Sequence, residues 1–277
     1  MTAQEALTGA LARLRKAGVA DVARDARLLL AHAMGLPPDR LTLHLADQVD
    51  PEAERRFDAA MAARVLRQPV SQIIGRRMFW GRNFLVTPDV LDPRPETETL
   101  VATALETSFA HVLDLGTGTG CILVTLLQER PGSQGLGVDV SPAALTVAGS
   151  NRRLHALEDR MMLRLGSWFE PVDQSFDLIV ANPPYIAADE MPDLAPEVRD
   201  HEPHIALTPG GDGLDAYRRI VAGAPRHLKP GGRLIVEIGP TQAAEVSSLF
   251  AAAGLRGIEL RQDMDGRDRV VVAMKPN

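Results

Sequence analysis

Apolar residues along the first part of the chain recur at helical spacing: Leu7, Leu11, Leu14 and Val19, then Val22, Ala26, Leu28, Leu29, Leu30 and Met34. Gly35-Leu36-Pro37-Pro38 breaks that stripe. A further helix is expected from Pro51 to Leu66, with Asp50 as its N-cap and Pro51 at the first position, where the missing N–H is not needed. These stripes predict a small helical bundle over residues 1–70. Ile73 to Val86 then carries two β-prone runs around Trp80-Gly81-Arg82-Asn83, which predicts a hairpin in a linker over 71–90.

From about residue 110 the pattern changes to short apolar runs alternating with amphipathic stretches. Strands are expected at 111–115, 135–140, 161–165, 176–181, 233–238, 258–261 and 270–274. Helices are expected at 121–130, 142–154, 215–228 and 242–253. Alternation of this kind implies an α/β domain over 91–277 with a mostly parallel, doubly wound sheet.

Charge and composition narrow the function. The formal charge is −6, and lysine occurs only at 16, 229 and 275, so no broad basic surface is available to hold a nucleic acid backbone. Stable nucleic acid binding is therefore not expected. A single cysteine, Cys121, excludes an internal disulfide and a multi-cysteine zinc site. His201 and His204 flank Glu202, but Pro203 breaks the helix that a metal motif would need, so no metal is expected. No apolar run reaches the roughly 18–20 residues that span a bilayer, and the N-terminus lacks signal-peptide order. A cytoplasmic protein without a membrane partner is the expectation, and a monomer.

Asp114-Leu115-Gly116-Thr117-Gly118-Thr119-Gly120 lies between the first strand of the sheet and its helix, where such sheets bind ligands. The dinucleotide fingerprint would require a third glycine at 121, which is cysteine, and no Gly-Lys-Ser/Thr phosphate loop follows. Asp139 ends the next strand, placed to accept hydrogen bonds from ribose hydroxyls, while Ser141-Pro142 is free to start the next helix. The ligand expected is a nucleoside without a pyrophosphate.

The strand Phe176–Ala181 runs into Asn182-Pro183-Pro184-Tyr185-Ile186. Two prolines stiffen this segment and remove its N–H donors, leaving a rigid set of acceptors. Asn182 Oδ1 and the Pro183 carbonyl can accept the two N–H bonds of an amide or amino group, while Tyr185 offers a flat face to stack on it.

The glycine loop, the strand-end acid and Asn-Pro-Pro-Tyr together resemble S-adenosylmethionine-dependent methyltransferases that modify exocyclic or amide nitrogens. Pro93-Arg94-Pro95-Glu96-Thr97-Glu98, Gln68–Gly75 with Phe79-Trp80, His201–Leu207 and Gly211–Asp215 are similar to segments of the release-factor glutamine-N5 methyltransferases. That resemblance implies a Rossmann-like, seven-stranded methyltransferase domain with the last strand antiparallel, behind an N-terminal bundle that docks substrate. It implies methyl transfer from S-adenosyl-L-methionine, with S-adenosyl-L-homocysteine as product, to the glutamine of the Gly-Gly-Gln loop in peptide chain release factors. An adenine-N6 DNA methyltransferase is the alternative. Asn182, Pro183 and Tyr185 are then expected to be catalytic, and with Pro184 to bind substrate. Gly116, Thr117, Gly118, Thr119, Gly120, Asp139, Trp168 and Asn182 are expected at the cofactor. The family often has an aspartate where this chain has Ser167. Arg94 is expected to pair with Glu96, Glu98 or a ligand carboxylate, Glu237 to support a neighbouring loop, and the acidic stretch 189–202 to be a solvated loop.

Overall fold

A computed structural model describes residues 1–277, which form two units: Met1–Arg76 with Ala195–His201, and Arg77–Leu194 with Glu202–Asn277. The first unit contains helices α1 (Ala3–Lys16), α2 (Val22–Ala33), α3 (Pro51–Val65) and α4 (Val70–Ile74). Thr2 starts α1 with a reciprocal cap, its side chain bonding the Glu5 amide while Glu5 bonds back. Asp50 caps α3 by accepting from the Glu52 and Ala53 amides at 3.0 and 2.9 Å, with Pro51 at the first position as the sequence predicts. Leu7, Leu14, Leu29, Leu30 and Met61 are buried in its core.

One buried charge cluster belongs to this unit. Arg64 donates to Asp25 at 2.7 Å and to Glu197 at 2.9 Å, and Arg67 donates to Glu197 at 2.8 Å. Gln72 Nε2 donates to the His201 carbonyl. The acidic stretch is therefore not uniformly the solvated loop expected, because guanidinium groups on α3 and just beyond it hold Glu197.

The second unit opens with strands β1 (Arg76–Phe79) and β2 (Arg82–Leu85), paired as a two-stranded sheet. Trp80 and Gly81 both have positive φ, 49° and 69°, as a two-residue turn needs to match strand twist. The elements that follow are α5 (Glu98–Leu105), β3 (His111–Leu115), α6 (Cys121–Glu129), β4 (Gln134–Asp139), α7 (Pro142–Leu154), β5 (Met161–Leu165) and β6 (Phe176–Ala181). Short α8 (Pro196–Arg199) lies in the segment that belongs to the first unit, and α9 (His204–Leu207) follows it. The chain ends with α10 (Asp215–His227), β7 (Leu228–Glu237), α11 (Ala243–Ala252), β8 (Arg256–Gln262) and β9 (Asp268–Met274).

The seven strands are ordered β5-β4-β3-β6-β7-β9-β8. All neighbouring pairs are parallel except those made by β9, which runs antiparallel to both β7 and β8. The Rossmann-like sheet with its last strand antiparallel is thus the fold observed. Its two faces are covered by separate cores, one containing Tyr217, Val246 and Phe250, the other Leu100, Val101, Leu123 and Leu126. β7 begins at Leu228, earlier than expected, because Lys229-Pro230-Gly231-Gly232 continues the strand through an irregularity between Phe176 and Leu178.

Candidate active site

Strands β3, β4 and β6 are adjacent, so their carboxyl ends place three loops together. After β3, the alternate residues Gly116, Gly118 and Gly120 all take positive φ, 71°, 53° and 78°. That explains the spacing: every second residue adopts a left-handed conformation that side chains disfavour. The amides of Gly116 and Thr117 donate to the Val138 carbonyl at 2.8 and 3.0 Å, and Gly118 donates to Asp139 Oδ2 at 2.9 Å. The loop therefore curls over the end of β4.

A cavity of about 400 Å³ opens there, lined among others by Gly116, Thr117, Gly118, Thr119, Asp139 and Trp168. Gly120 is absent from its wall. A Cβ at 120 would meet Met161 Cε at 3.2 Å and Ala148 Cβ at 3.5 Å, so this glycine permits close packing on α7 and β5. Asp139 Oδ1 also accepts from the Ser141 amide at 2.9 Å, while Ser141 caps α7. Each Asp139 oxygen has one backbone donor and a further lone pair open to a ligand. Trp168 has φ 49° and is half-buried against the core, and Ser167 lines the cavity next to it.

Asp114 lies beneath the loop, fully buried, and accepts from the Thr117 hydroxyl at 2.7 Å. Burial pushes its carboxyl up to about 7. Cys121 is buried and its thiol is pushed up to about 12 by the same cause, so it packs rather than reacts.

At the end of β6, Asn182 and Pro184 line the same cavity, whereas Pro183 is buried and Tyr185 stands outside the wall. Tyr185 packs against the core that contains Tyr217, its carbonyl accepts from Gln242 Nε2 at 2.9 Å, and burial raises its hydroxyl to about 12. Gln242 Oε1 in turn accepts from the Gly239 amide at 3.1 Å and lies 3.3 Å from the Tyr217 hydroxyl oxygen. Asn182 Nδ2 donates to Thr97 Oγ1 at 3.2 Å.

Arg94, also on the cavity wall, does not pair with Glu96 or Glu98. It donates to both oxygens of Glu202, at 2.6 and 2.8 Å. Burial still drives the Glu202 carboxyl up to about 7 against the attraction of Arg94. Glu98 serves the hairpin instead, accepting from the Trp80 amide at 2.7 Å. Thr97, the loop residues around Val90, and Ile205, Ala206, Thr208 and Pro209 are wall residues to which the sequence assigned no role. The Pro-Arg-x-x-Thr-Glu run, for Thr97, and the His201–Leu207 segment, for Ile205 and Ala206, were the signals that pointed near them.

Residues 106–253 match the family model described as "Methyltransferase domain". Among solved structures, a methyltransferase from Pyrococcus furiosus superposes with TM-score 0.56 at 16% identity, covering 78% of this chain and 98% of that one. The T. thermophilus 16S rRNA N2 G1207 methyltransferase in complex with AdoMet and guanosine superposes with TM-score 0.51 at 19% identity, covering 72% and 49%. Fold and loop architecture together define a Rossmann-like methyltransferase.

Closer relatives sharpen this. The release factor glutamine methyltransferase of Cereibacter sphaeroides is 60% identical over 276 residues, 100% of this chain and 99% of that protein. The one from Rhodospirillum rubrum is 45% identical over 95% of this chain and 82% of that protein, and residues 5–75 match "PrmC N-terminal domain". The chain belongs to the release factor glutamine methyltransferase family.

Proposed function

We propose that this protein transfers methyl from S-adenosyl-L-methionine to the side-chain amide nitrogen, N5, of the glutamine in the Gly-Gly-Gln loop of peptide chain release factors. The observation that carries the reading is that Asn182, at the end of β6, and the glycine loop, at the end of the adjacent β3, line one cavity. Its volume, about 400 Å³, is in the range of small-molecule sites. Open lone pairs on Asp139 suit ribose hydroxyls, and the positive-φ glycines leave room for a ligand against the backbone. These residues fit a nucleoside-bearing cofactor without a pyrophosphate.

S-adenosylmethionine, when bound, supplies an electrophilic sulfonium methyl. The protein's task is to present a poor nucleophile to it, because an amide nitrogen's lone pair is delocalised into the carbonyl. Asn182 Oδ1 and the Pro183 carbonyl accept the two N–H bonds and orient that nitrogen, with Pro184 bounding the substrate side. Positioning of this kind contributes several kcal/mol, up to about 7–11 in the best cases. Gly116, Thr117, Gly118, Thr119, Asp139 and Trp168 hold the cofactor in this reading, and Gly120 sets the loop's seat on α7. The N-terminal unit is assigned to docking of the substrate protein.

The experiment is methyl transfer from labelled cofactor to purified release factor, to its Gln→Ala variant in the Gly-Gly-Gln loop, and to duplex DNA. Label in the wild-type factor alone is expected. Label in DNA would instead select an adenine methyltransferase.

A further inference from the structure

Asn182 can present two opposite faces to a substrate: an amide oxygen that accepts, or an NH₂ that donates. Only the first holds a glutamine NH₂. Rotating the amide by half a turn costs its neighbours little in shape, so something must choose between the two.

Three buried or half-buried side chains meet at this point. β6 and β7 are parallel with Ala181 opposite Val236, so the next pair outward, Asn182 and Glu237, sits side by side. Asn182 Nδ2 lies 3.2 Å from Thr97 Oγ1. Thr97 and Glu237 are each 2% exposed. The Thr97 hydroxyl is also near enough to the Glu237 carboxyl to favour its ionised form. Glu237 Oε2 has no hydrogen-bond partner at all. A carboxyl kept only for structure would be expected to be bonded at both oxygens.

We propose that Thr97 and Glu237 are positioning residues that fix the Asn182 amide with its oxygen toward the substrate. The inference rests on the function proposed above. An ionised carboxylate only accepts, and in this proposal the Thr97 hydroxyl turns its single proton to Glu237. The threonine oxygen can then only accept from Asn182, which turns the NH₂ inward and leaves Oδ1 facing the cavity. Protonated Glu237 reverses the chain: its O–H donates to Thr97, whose proton becomes available to Asn182 Oδ1, and the amide turns its NH₂ to the substrate. Donor then meets donor.

The electrostatic surroundings make this reversal accessible near neutral pH. Burial pushes the Glu237 carboxyl up to about 7, against the Thr97 hydroxyl and the charges of Arg269 on β9 and Arg94, with Glu96 adding to the rise. Tyr185, Tyr217 and Cys121 also feel Glu237, and burial raises all three above their ordinary values. None of the three gains or loses a proton near neutrality.

The test measures single-turnover methylation of release factor, cofactor affinity by calorimetry, and the pH profile of kcat. Thr97→Val, which keeps shape and removes the hydroxyl, is expected to lower kcat about 10-fold or more while cofactor affinity stays within about 2-fold; Thr97→Ser is expected to restore the rate to within about 3-fold. Wild-type kcat is expected to fall as pH drops through about 7. Asp114 and Glu202 titrate in the same range, so Glu237→Gln assigns the limb. Its kcat is expected to be low at pH about 8 and to lack that acid limb. A Thr97→Val enzyme with wild-type kcat, or an acid limb unchanged in Glu237→Gln, overturns the proposal. If Thr97→Val does not fold, the Glu237→Gln profile decides. A wild-type enzyme that leaves release factor unlabelled overturns the functional reading, and this inference with it.

Discussion

The two rims of the cavity are built by different means. On the β3 side, backbone does most of the work: three glycines at positive φ and a ladder of amides onto Val138 and Asp139 shape the loop. On the β6 side, two prolines have removed the amide donors, and side chains from distant segments hold the shape. Thr97 meets Asn182 across 85 residues, and Gln242 meets the Tyr185 carbonyl across 57. A backbone cradle suits a ligand recognised by close approach, and a side-chain clamp suits orientation of a reacting group. The first rim should thus govern cofactor affinity and the second the rate.

The strongest way to break this division is Asn182→Ala. Removing the acceptor proposed to face the substrate is expected to lower kcat by about 10²–10³, the scale seen when one oriented hydrogen bond to a reacting group is lost. Single-turnover kinetics on release factor measures it.

Gly118→Val strikes the other rim. A β-branched residue at φ 53° is strained by about 1–3 kcal/mol and brings bulk to the cavity wall. Cofactor affinity by calorimetry is expected to weaken about 10-fold or more.

A smaller effect is expected from Tyr217→Phe. The Tyr217 hydroxyl donates to the Glu237 carbonyl at 3.0 Å in the core. Its loss should cost about 1 kcal/mol in chemical unfolding, with kcat changed by less than about 3-fold. A large loss of rate with little loss of stability would show that this hydroxyl acts on the clamp directly.

A further prediction concerns stability as a function of pH. Asp114 binds its proton more tightly folded than unfolded, because burial raises it from 3.8 to about 7. The wild type therefore loses this contribution as pH rises from about 4 through about 7. Asp114→Asn does not titrate, so its Tm relative to wild type should become more favourable by pH about 8 than at pH about 4. A constant difference would mean that Asp114 is not raised by burial beneath the loop.

The same division explains what the sequence made legible. Gly116, Gly118 and Gly120 announce a backbone shape through spacing alone, and the strands on either side follow from short apolar runs. Even so, spacing did not separate Gly120, which packs on Ala148, from the two glycines on the cavity wall. Side-chain contacts across the chain left no periodic trace. Arg94 had acidic neighbours at 96 and 98 but pairs with Glu202, because the chain returns there after β6. Glu197 reads as one more acid in a polar stretch, and only α3 reveals Arg64 waiting for it. Tyr185 looks like an exposed stacking face in sequence, yet it packs against the core through its ring and through Gln242.

The most direct test compares Gly118→Val and Asn182→Ala in single turnover on release factor as cofactor is raised to saturation. The account predicts that Gly118→Val recovers most of the wild-type rate at saturating cofactor, whereas Asn182→Ala stays about 10²-fold slow at any concentration. Recovery of Asn182→Ala at saturation, or a Gly118→Val rate that remains equally low, would contradict the division between a binding rim and a positioning rim.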